Sequence, residues 1–245
     1  MLVLAGSSGR LESERADLFA RHGIRAHAIR WFGGYGQSSA PQNVPLELFE
    51  AELNLLRETC DQVAILGTSL GAEAALIVAS ATPVDAVIAI APSSVVWPWT
   101  IDGHTSSHWA YRGEPLPWVP LATDWVAITD PPEFRSLYEL SHAQHADSIA
   151  AATIPVERIT GDVLLVAGGD DRVWPSTSFA ADIIARRGDL ATTLVTAPDA
   201  GHRIIFPGEP AGTGGMNMAR GGTPEADAVL GARAWHAILA TLSPR

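Results

Sequence analysis

An α/β architecture, with a mostly parallel sheet of about six strands wound on both faces, is predicted by three observations. Short apolar runs alternate with helix-patterned segments along most of the chain. Those runs stop at Gly, Ser or Asp, the residues that turn a strand into a loop. The chain has 245 residues, 47% of them hydrophobic and 18% charged, enough to bury a substantial core. A single domain over residues 1–245 is expected, with a Trp-rich cap insertion at about 95–150.

The elements follow in order. Leu2 to Ala5 is an apolar strand that stops at Gly6-Ser7-Ser8-Gly9. Residues 11–22 place Leu11, Leu18 and Phe19 on one helical stripe, and Gly23 ends the helix. Residues 24–31 alternate with period two and read as a strand. A helix over 45–58 follows, then a strand at 62–66 and an Ala-rich helix over 72–80. Residues 84–91 are the fourth strand. Residues 95–132 break the rhythm: they hold five of the eight tryptophans, many prolines and little periodicity. Such a long irregular insertion is usually functional. Helical patterning returns over 133–152, followed by a strand at 163–167, a helix at 178–187 and a strand at 192–196. Residues 208–222 read as a Gly-rich loop. Thr223 and Pro224 then open a last helix to Leu242.

Composition removes several classes of function. The net charge of −11 argues against a nucleic-acid partner. No apolar run is long enough for a membrane span, so no membrane partner is expected. All sixteen basic residues are Arg. Without Lys there is no Schiff base, no Ser–Lys dyad and no P-loop. Cys60 is the only cysteine, which excludes an internal disulfide, and a cytoplasmic address follows as the default. His142 and His145 stand one helical turn apart with no third ligand in view, so no metal is expected. No cofactor is implied either.

The chemistry centres on Gly67-Thr68-Ser69-Leu70-Gly71, a serine between glycines where a strand meets a helix. So tight a turn needs flanking residues nearly free of side chains. It also sets the serine at a helix N-terminus, where free N–H groups and the dipole favour developing negative charge. A serine hydroxyl needs a base, and the base needs an acid to fix its tautomer. His202, at a strand exit behind Gly201, is the candidate base. Asp170 and Asp171 compete for the acid. Asp171 is favoured because Gly168-x-x-Asp171-x-x-Trp174-Pro175 has the spacing usual in serine hydrolases after this strand. The order Ser69…Asp171…His202 is that of α/β-hydrolases. The oxyanion donors are expected to be the backbone N–H groups of Leu70 and Ser8. The insertion's tryptophans, Trp97 and Trp99 foremost, are candidates for an apolar roof that binds substrate.

Several stretches resemble one family. They are residues 15–23, residues 45–50, the elbow, residues 154–159, residues 168–176 and residues 221–226. Together they resemble the catalytic domain of acyl-CoA thioester hydrolases and bile acid-CoA:amino acid N-acyltransferases and, more distantly, dienelactone hydrolases. The resemblance implies an α/β-hydrolase fold, acyl-thioester or ester chemistry on a small-molecule substrate, and a triad falling on Ser69, Asp171 and His202. Amino-acid-transferring members carry a cysteine nucleophile, so Ser69 points to hydrolysis. An acyltransferase or cyclase, and a catalytically silent binding protein, stay open as alternatives. The sequence opens on what is the third strand of that fold, which leaves residues 24–31 as an edge and keeps a homodimer open. An acidic chain without Lys argues against a strong coenzyme A phosphate site, although Arg10 and Arg203 near the expected mouth could serve.

Overall fold

The computed structural model describes residues 1–210 and 215–243. Residues 211–214, inside the stretch read as a Gly-rich loop, and residues 244–245 lie outside the described residues. In chain order the elements are β1 (Leu2–Leu4), α1 (Ser13–Arg21), β2 (His27–Ile29), β3 (Val44–Pro45) and α2 (Glu47–Arg57). Next come β4 (Ala64–Thr68), α3 (Leu70–Ala81), β5 (Ala86–Ile90), β6 (Pro98–Ile101), β7 (His104–Ser107), β8 (Trp109–Tyr111) and β9 (Glu114–Pro115). The chain closes with α4 (Arg135–Gln144), α5 (Ala146–Ala152), a 3₁₀ turn (Val156–Arg158), β10 (Asp162–Gly168), α6 (Ser176–Arg187), β11 (Thr192–Ala197) and α7 (Pro224–Leu242).

Six strands form one sheet in the order β11-β10-β5-β4-β1-β2, and all of its pairs are parallel. Because strand side chains alternate, each strand feeds two cores. Leu2, Leu4, Ile65, Val87 and Leu165 pack with α2, α3 and α6 on one face. Val3, Leu66, Ile88, Val166 and Val195 pack with Phe19 of α1 and Leu230, Trp235 and Ile238 of α7 on the other. A sheet covered this way is buried on both faces, so its strands read as continuous apolar runs. The helix α3 is buried along nearly its whole length beneath the centre of the sheet, which explains its Ala-rich composition.

Three expectations are corrected. The strand over 24–31 shortens to β2, although its place at the sheet edge is as expected: among the described residues it pairs only with β1. The insertion is not irregular throughout: β6 and β7 form an antiparallel ribbon, β8 and β9 another, and β8 also pairs with β3, Val44 opposite Trp109. The helix over 133–152 breaks at His145, whose backbone (φ −114, ψ 40) is not helical. Among the described residues, no helix is long and apolar enough to cross a membrane.

Candidate active site

The carboxyl ends of parallel strands are where such a sheet gathers its polar groups. At the end of β4 the chain turns at Ser69 with φ 58 and ψ −121, a left-handed backbone that a non-glycine residue adopts only under constraint. The constraint is visible. The Ser69 N–H donates to the Ile90 carbonyl (2.8 Å), and the Ser69 carbonyl accepts from Ala72 and Glu73 (2.8 and 3.1 Å). Both flanking glycines are required by space. A Cβ on Gly67 would overlap the Gly71 carbonyl, and one on Gly71 would overlap the Ala5 carbonyl at the end of β1. Leu70 is the first residue of α3, where a backbone N–H has no carbonyl of its own helix to reach.

Beyond β10 the two aspartates separate. Asp171 is fully buried, and its Oδ2 lies 2.8 Å from His202 Nδ1. Its Oδ1 accepts from the backbone N–H groups of Val173 and Trp174 (2.9 and 3.3 Å), so the carboxylate is held on both oxygens. Asp170 turns away, pairing with Arg172 (3.0 Å) and accepting from Gly222 N–H (2.8 Å). Burial pushes its carboxyl up, but Arg172 and the Gly222 N–H outweigh that and hold it below the usual range. His202 is 7% exposed. The Trp174 ring packs edge-on to its imidazole (5.8 Å between centroids), and its backbone N–H donates to the Arg220 carbonyl (2.8 Å). With Nδ1 engaged by Asp171, Nε2 is the ring nitrogen left to act elsewhere.

Ser69 and His202 line one cavity of about 400 Å³, together with Gly6, Ser7 and Ser8 from the turn after β1. Gly6 lies against the serine: a Cβ built on it would stand 3.7 Å from Ser69 Oγ. The turn that carries Ser8 is therefore beside the nucleophile, and Ser7, adjacent to Gly6, lines the cavity too. The cavity wall is polar. Arg15, 7% exposed, makes a two-pronged pair with Glu209 (2.7 and 3.0 Å) and donates to Thr68 Oγ1 (3.0 Å), the residue before Ser69. Burial opposes the Arg15 charge, but Glu209 outweighs it, so the guanidinium holds its proton more firmly than usual.

Neither Trp97 nor Trp99 lines this cavity, and among the described residues the insertion contributes nothing to its wall. Trp97 is fully buried, with its Nε1 on Ser93 Oγ (2.9 Å) and its ring against Tyr138 and Phe179. Trp99 is half-buried at the edge of the same core, and its carbonyl accepts from Gln42. Trp97 and Trp99 therefore pack in or against the core, away from the cavity that Ser69 lines. Sequence reasoning missed Arg15, Glu209 and Arg220, which do line the cavity. Arg15 lies in one of the stretches that carried the resemblance; Glu209 and Arg220 were hidden inside a stretch read only as loop.

A parallel sheet in this strand order, with a strained serine leading from its central strand into a buried helix, is an α/β-hydrolase fold. The family model "BAAT / Acyl-CoA thioester hydrolase C terminal" matches residues 44–243, and the chain belongs to that family. Mouse acyl-coenzyme A thioesterase 2, mitochondrial, is 29% identical over 250 residues, covering 96% of this chain and 52% of that protein. Mouse acyl-coenzyme A thioesterase 1 is 29% identical over 253 residues, covering 96% and 57%. Mouse bile acid-CoA:amino acid N-acyltransferase is 28% identical over 218 residues, covering 86% and 50%. The chain thus spans about half the length of the curated relatives it matches. A solved monoacylglycerol lipase from Paleococcus ferrophilus aligns over 80% of this chain and 83% of its own, at 16% identity and a TM-score of 0.49.

Proposed function

We propose that this chain is a serine hydrolase that cleaves an acyl thioester or carboxylic ester through an acyl-enzyme on Ser69. The observation that carries the proposal is the 2.8 Å contact between His202 Nδ1 and a fully buried Asp171, on a histidine that shares its cavity with Ser69. In the first half-reaction Ser69 Oγ attacks the acyl carbonyl carbon. His202 Nε2 takes the hydroxyl proton and then gives it to the departing thiolate or alkoxide. Water attacks the acyl-enzyme in the second half, again deprotonated by His202, and the acid leaves as Ser69 is restored. Asp171 keeps Nδ1–H directed at itself and stabilises the imidazolium formed in each half.

The backbone N–H groups of Leu70 and Ser8 are the oxyanion donors in this reading. Losing one such donor typically costs about 3–4 kcal/mol of transition-state stabilisation. Thioesters are favoured over simple esters by family membership and by the thioesterase relatives. A serine in place of a cysteine nucleophile favours water over an amine as acceptor.

The test is free-thiol release from a panel of acyl-CoA esters, short to long and aromatic, with Ser69→Ala as the blank. Ser69-dependent release is expected, together with fluorophosphonate labelling at Ser69. Labelling at another residue, or release that survives Ser69→Ala, would defeat the proposal.

A further inference from the structure

The segment that carries His202 has no regular backbone ladder. Residues 202–210 form neither helix nor strand. Among the described residues, their backbone N–H groups reach carbonyls at three places: His202 to Arg220 (2.8 Å), Ile205 to Asp227 (3.4 Å) and Glu209 to Phe206 (3.0 Å). A base on such a segment must still stay in register with its nucleophile, because a misplacement of about 1 Å can cost about a hundredfold in rate.

One side chain spans the gap. Arg15 stands on α1, the helix that follows the turn carrying Ser8. Its guanidinium forks onto both Glu209 oxygens (2.7 and 3.0 Å) and lies over the Phe206 ring (4.7 Å to the centroid). Its Nη1 donates to Thr68 Oγ1 (3.0 Å), and Thr68 directly precedes Ser69. Glu209 Oε2 also accepts from the Phe206 N–H (3.1 Å), which closes the segment on itself. Two hydrogen-bonded steps thus join the neighbour of the serine to the segment that begins at the histidine. Both members of the ion pair are nearly out of solvent. At such a site the cost of desolvating two charges offsets most of their attraction, so the pair is weak support for stability. What it does supply is geometry: the planar fork fixes guanidinium against carboxylate and so aims Nη1 at Thr68.

We infer that Arg15 is a positioning residue for the proposed reaction: through Glu209 and Thr68 it holds the segment that carries His202 in register with Ser69. This rests on the hydrolase reading of the same site. Arg15 takes no part in making or breaking bonds. Its loss should therefore lower kcat and leave KM nearly unchanged, because substrate is bound as before while Ser69 and His202 meet less often in a reactive geometry.

The test replaces the pair as a unit, Arg15→Met with Glu209→Gln, which leaves no buried charge and keeps an acceptor for the Phe206 N–H. Turnover of p-nitrophenyl butyrate is measured per site titrated with a fluorophosphonate, and the rate constant of that labelling reports the same alignment where turnover is slow. The urea midpoint should stay close to that of the unaltered protein. The kcat per site should fall by about tenfold or more. Thr68→Val should lower kcat in the unaltered protein but cost nothing further in the paired variant, since the same chain of contacts is already broken. Thr68→Ser, which keeps the hydroxyl, should retain kcat. If the paired variant fails to fold, Thr68→Val against Thr68→Ser decides alone. An unchanged kcat per site in the paired variant or in Thr68→Val would reduce Arg15 to a structural contact. A Thr68→Val loss equal in both backgrounds, or a raised KM at unchanged kcat, would overturn the inference as well. Each of these results leaves the hydrolase reading standing. Absence of labelling and of turnover in the unaltered protein would remove that reading, and the inference with it.

Discussion

Removing the Glu73 carboxylate should destabilise this protein more than removing Ser69, Asp171 or His202, the members of the proposed triad. Glu73 lies one turn after Ser69 on α3 and is fully buried. Its Oε1 accepts from Trp109 Nε1 (2.7 Å) and from the Trp97 backbone N–H (3.2 Å), and lies 3.2 Å from His108 Nδ1. All three partners belong to the insertion, so this one oxygen fastens the insertion to the nucleophile helix. Glu73→Ala leaves those buried polar groups without their acceptor at about 1–3 kcal/mol each, and a loss of about 4–6 kcal/mol is expected. That is comparable with the entire stability of many domains, about 5–15 kcal/mol. Glu73→Gln is the control. Its amide oxygen can keep the three contacts, and its NH₂ replaces Oε2, which is buried and has no partner among the described residues. About 1–2 kcal/mol should be lost there, mostly through weaker uncharged hydrogen bonds. The assay is the urea midpoint at unchanged slope, with a double-mutant cycle against Trp109→Phe to isolate the shortest contact. The coupling should be about 1.5–3 kcal/mol, as for a hydrogen bond to a charged group. Glu73→Ala costing less than about 1 kcal/mol, or a cycle with no coupling, would refute the reasoning.

Three further outcomes follow from the site. Ser69→Gly should abolish turnover yet raise the unfolding midpoint, because glycine carries φ 58 without the roughly 1–3 kcal/mol of strain stored in a non-glycine residue; a lower midpoint would show that the serine is not strained. Asp171→Asn keeps an acceptor for Val173 and Trp174 N–H but favours the wrong His202 tautomer, so kcat should fall by about 10⁴ with the fold intact by circular dichroism; a fall under about tenfold would remove Asp171 from the mechanism. Burial, with the charges of Asp170 and Asp171 adding to it, raises the Asp227 pKa against the lowering effect of the Gly201 N–H. The folded state therefore keeps that proton to higher pH than the unfolded chain, and stability falls as pH rises from the ordinary value of 3.8 through the raised folded one. Asp227→Asn, which retains an acceptor for Gly201 N–H, should erase that fall in a series of thermal midpoints against pH; parallel curves for the two proteins would count against it.

What could be read from the sequence was what local chemistry dictates. The sheet's buried strands appear as apolar runs because both faces are covered, and the turns at their ends appear as Gly, Ser and Asp. The elbow was legible because the overlaps at Gly67 and Gly71 leave no other residue for those positions. His202 and Asp171 stood out as polar residues at strand exits, and the structure brings them together. The insertion was opaque for the opposite reason. Its ribbons are two to four residues long, and β8 is paired in part by Val44 and Pro45, some sixty positions earlier, a match that no local period announces. Tryptophan is ambiguous in the same way: its apolar surface serves a core as well as a substrate roof, and a sequence does not say which side of the ring meets solvent. Glu73 sits in an Ala-rich helix like any exposed acid, and only the long-range return of Trp97, His108 and Trp109 reveals it as the acceptor that holds the insertion. The arginines were hardest. Sixteen are scattered along the chain, and the pairing of Arg15 with Glu209, 194 positions away, is nothing that a local period announces. The triad candidates are thus set by short-range turns that a motif can encode. The groups around them come from stretches far apart in the chain that meet only in the fold, which explains why a sequence can point to a reaction before it points to a substrate.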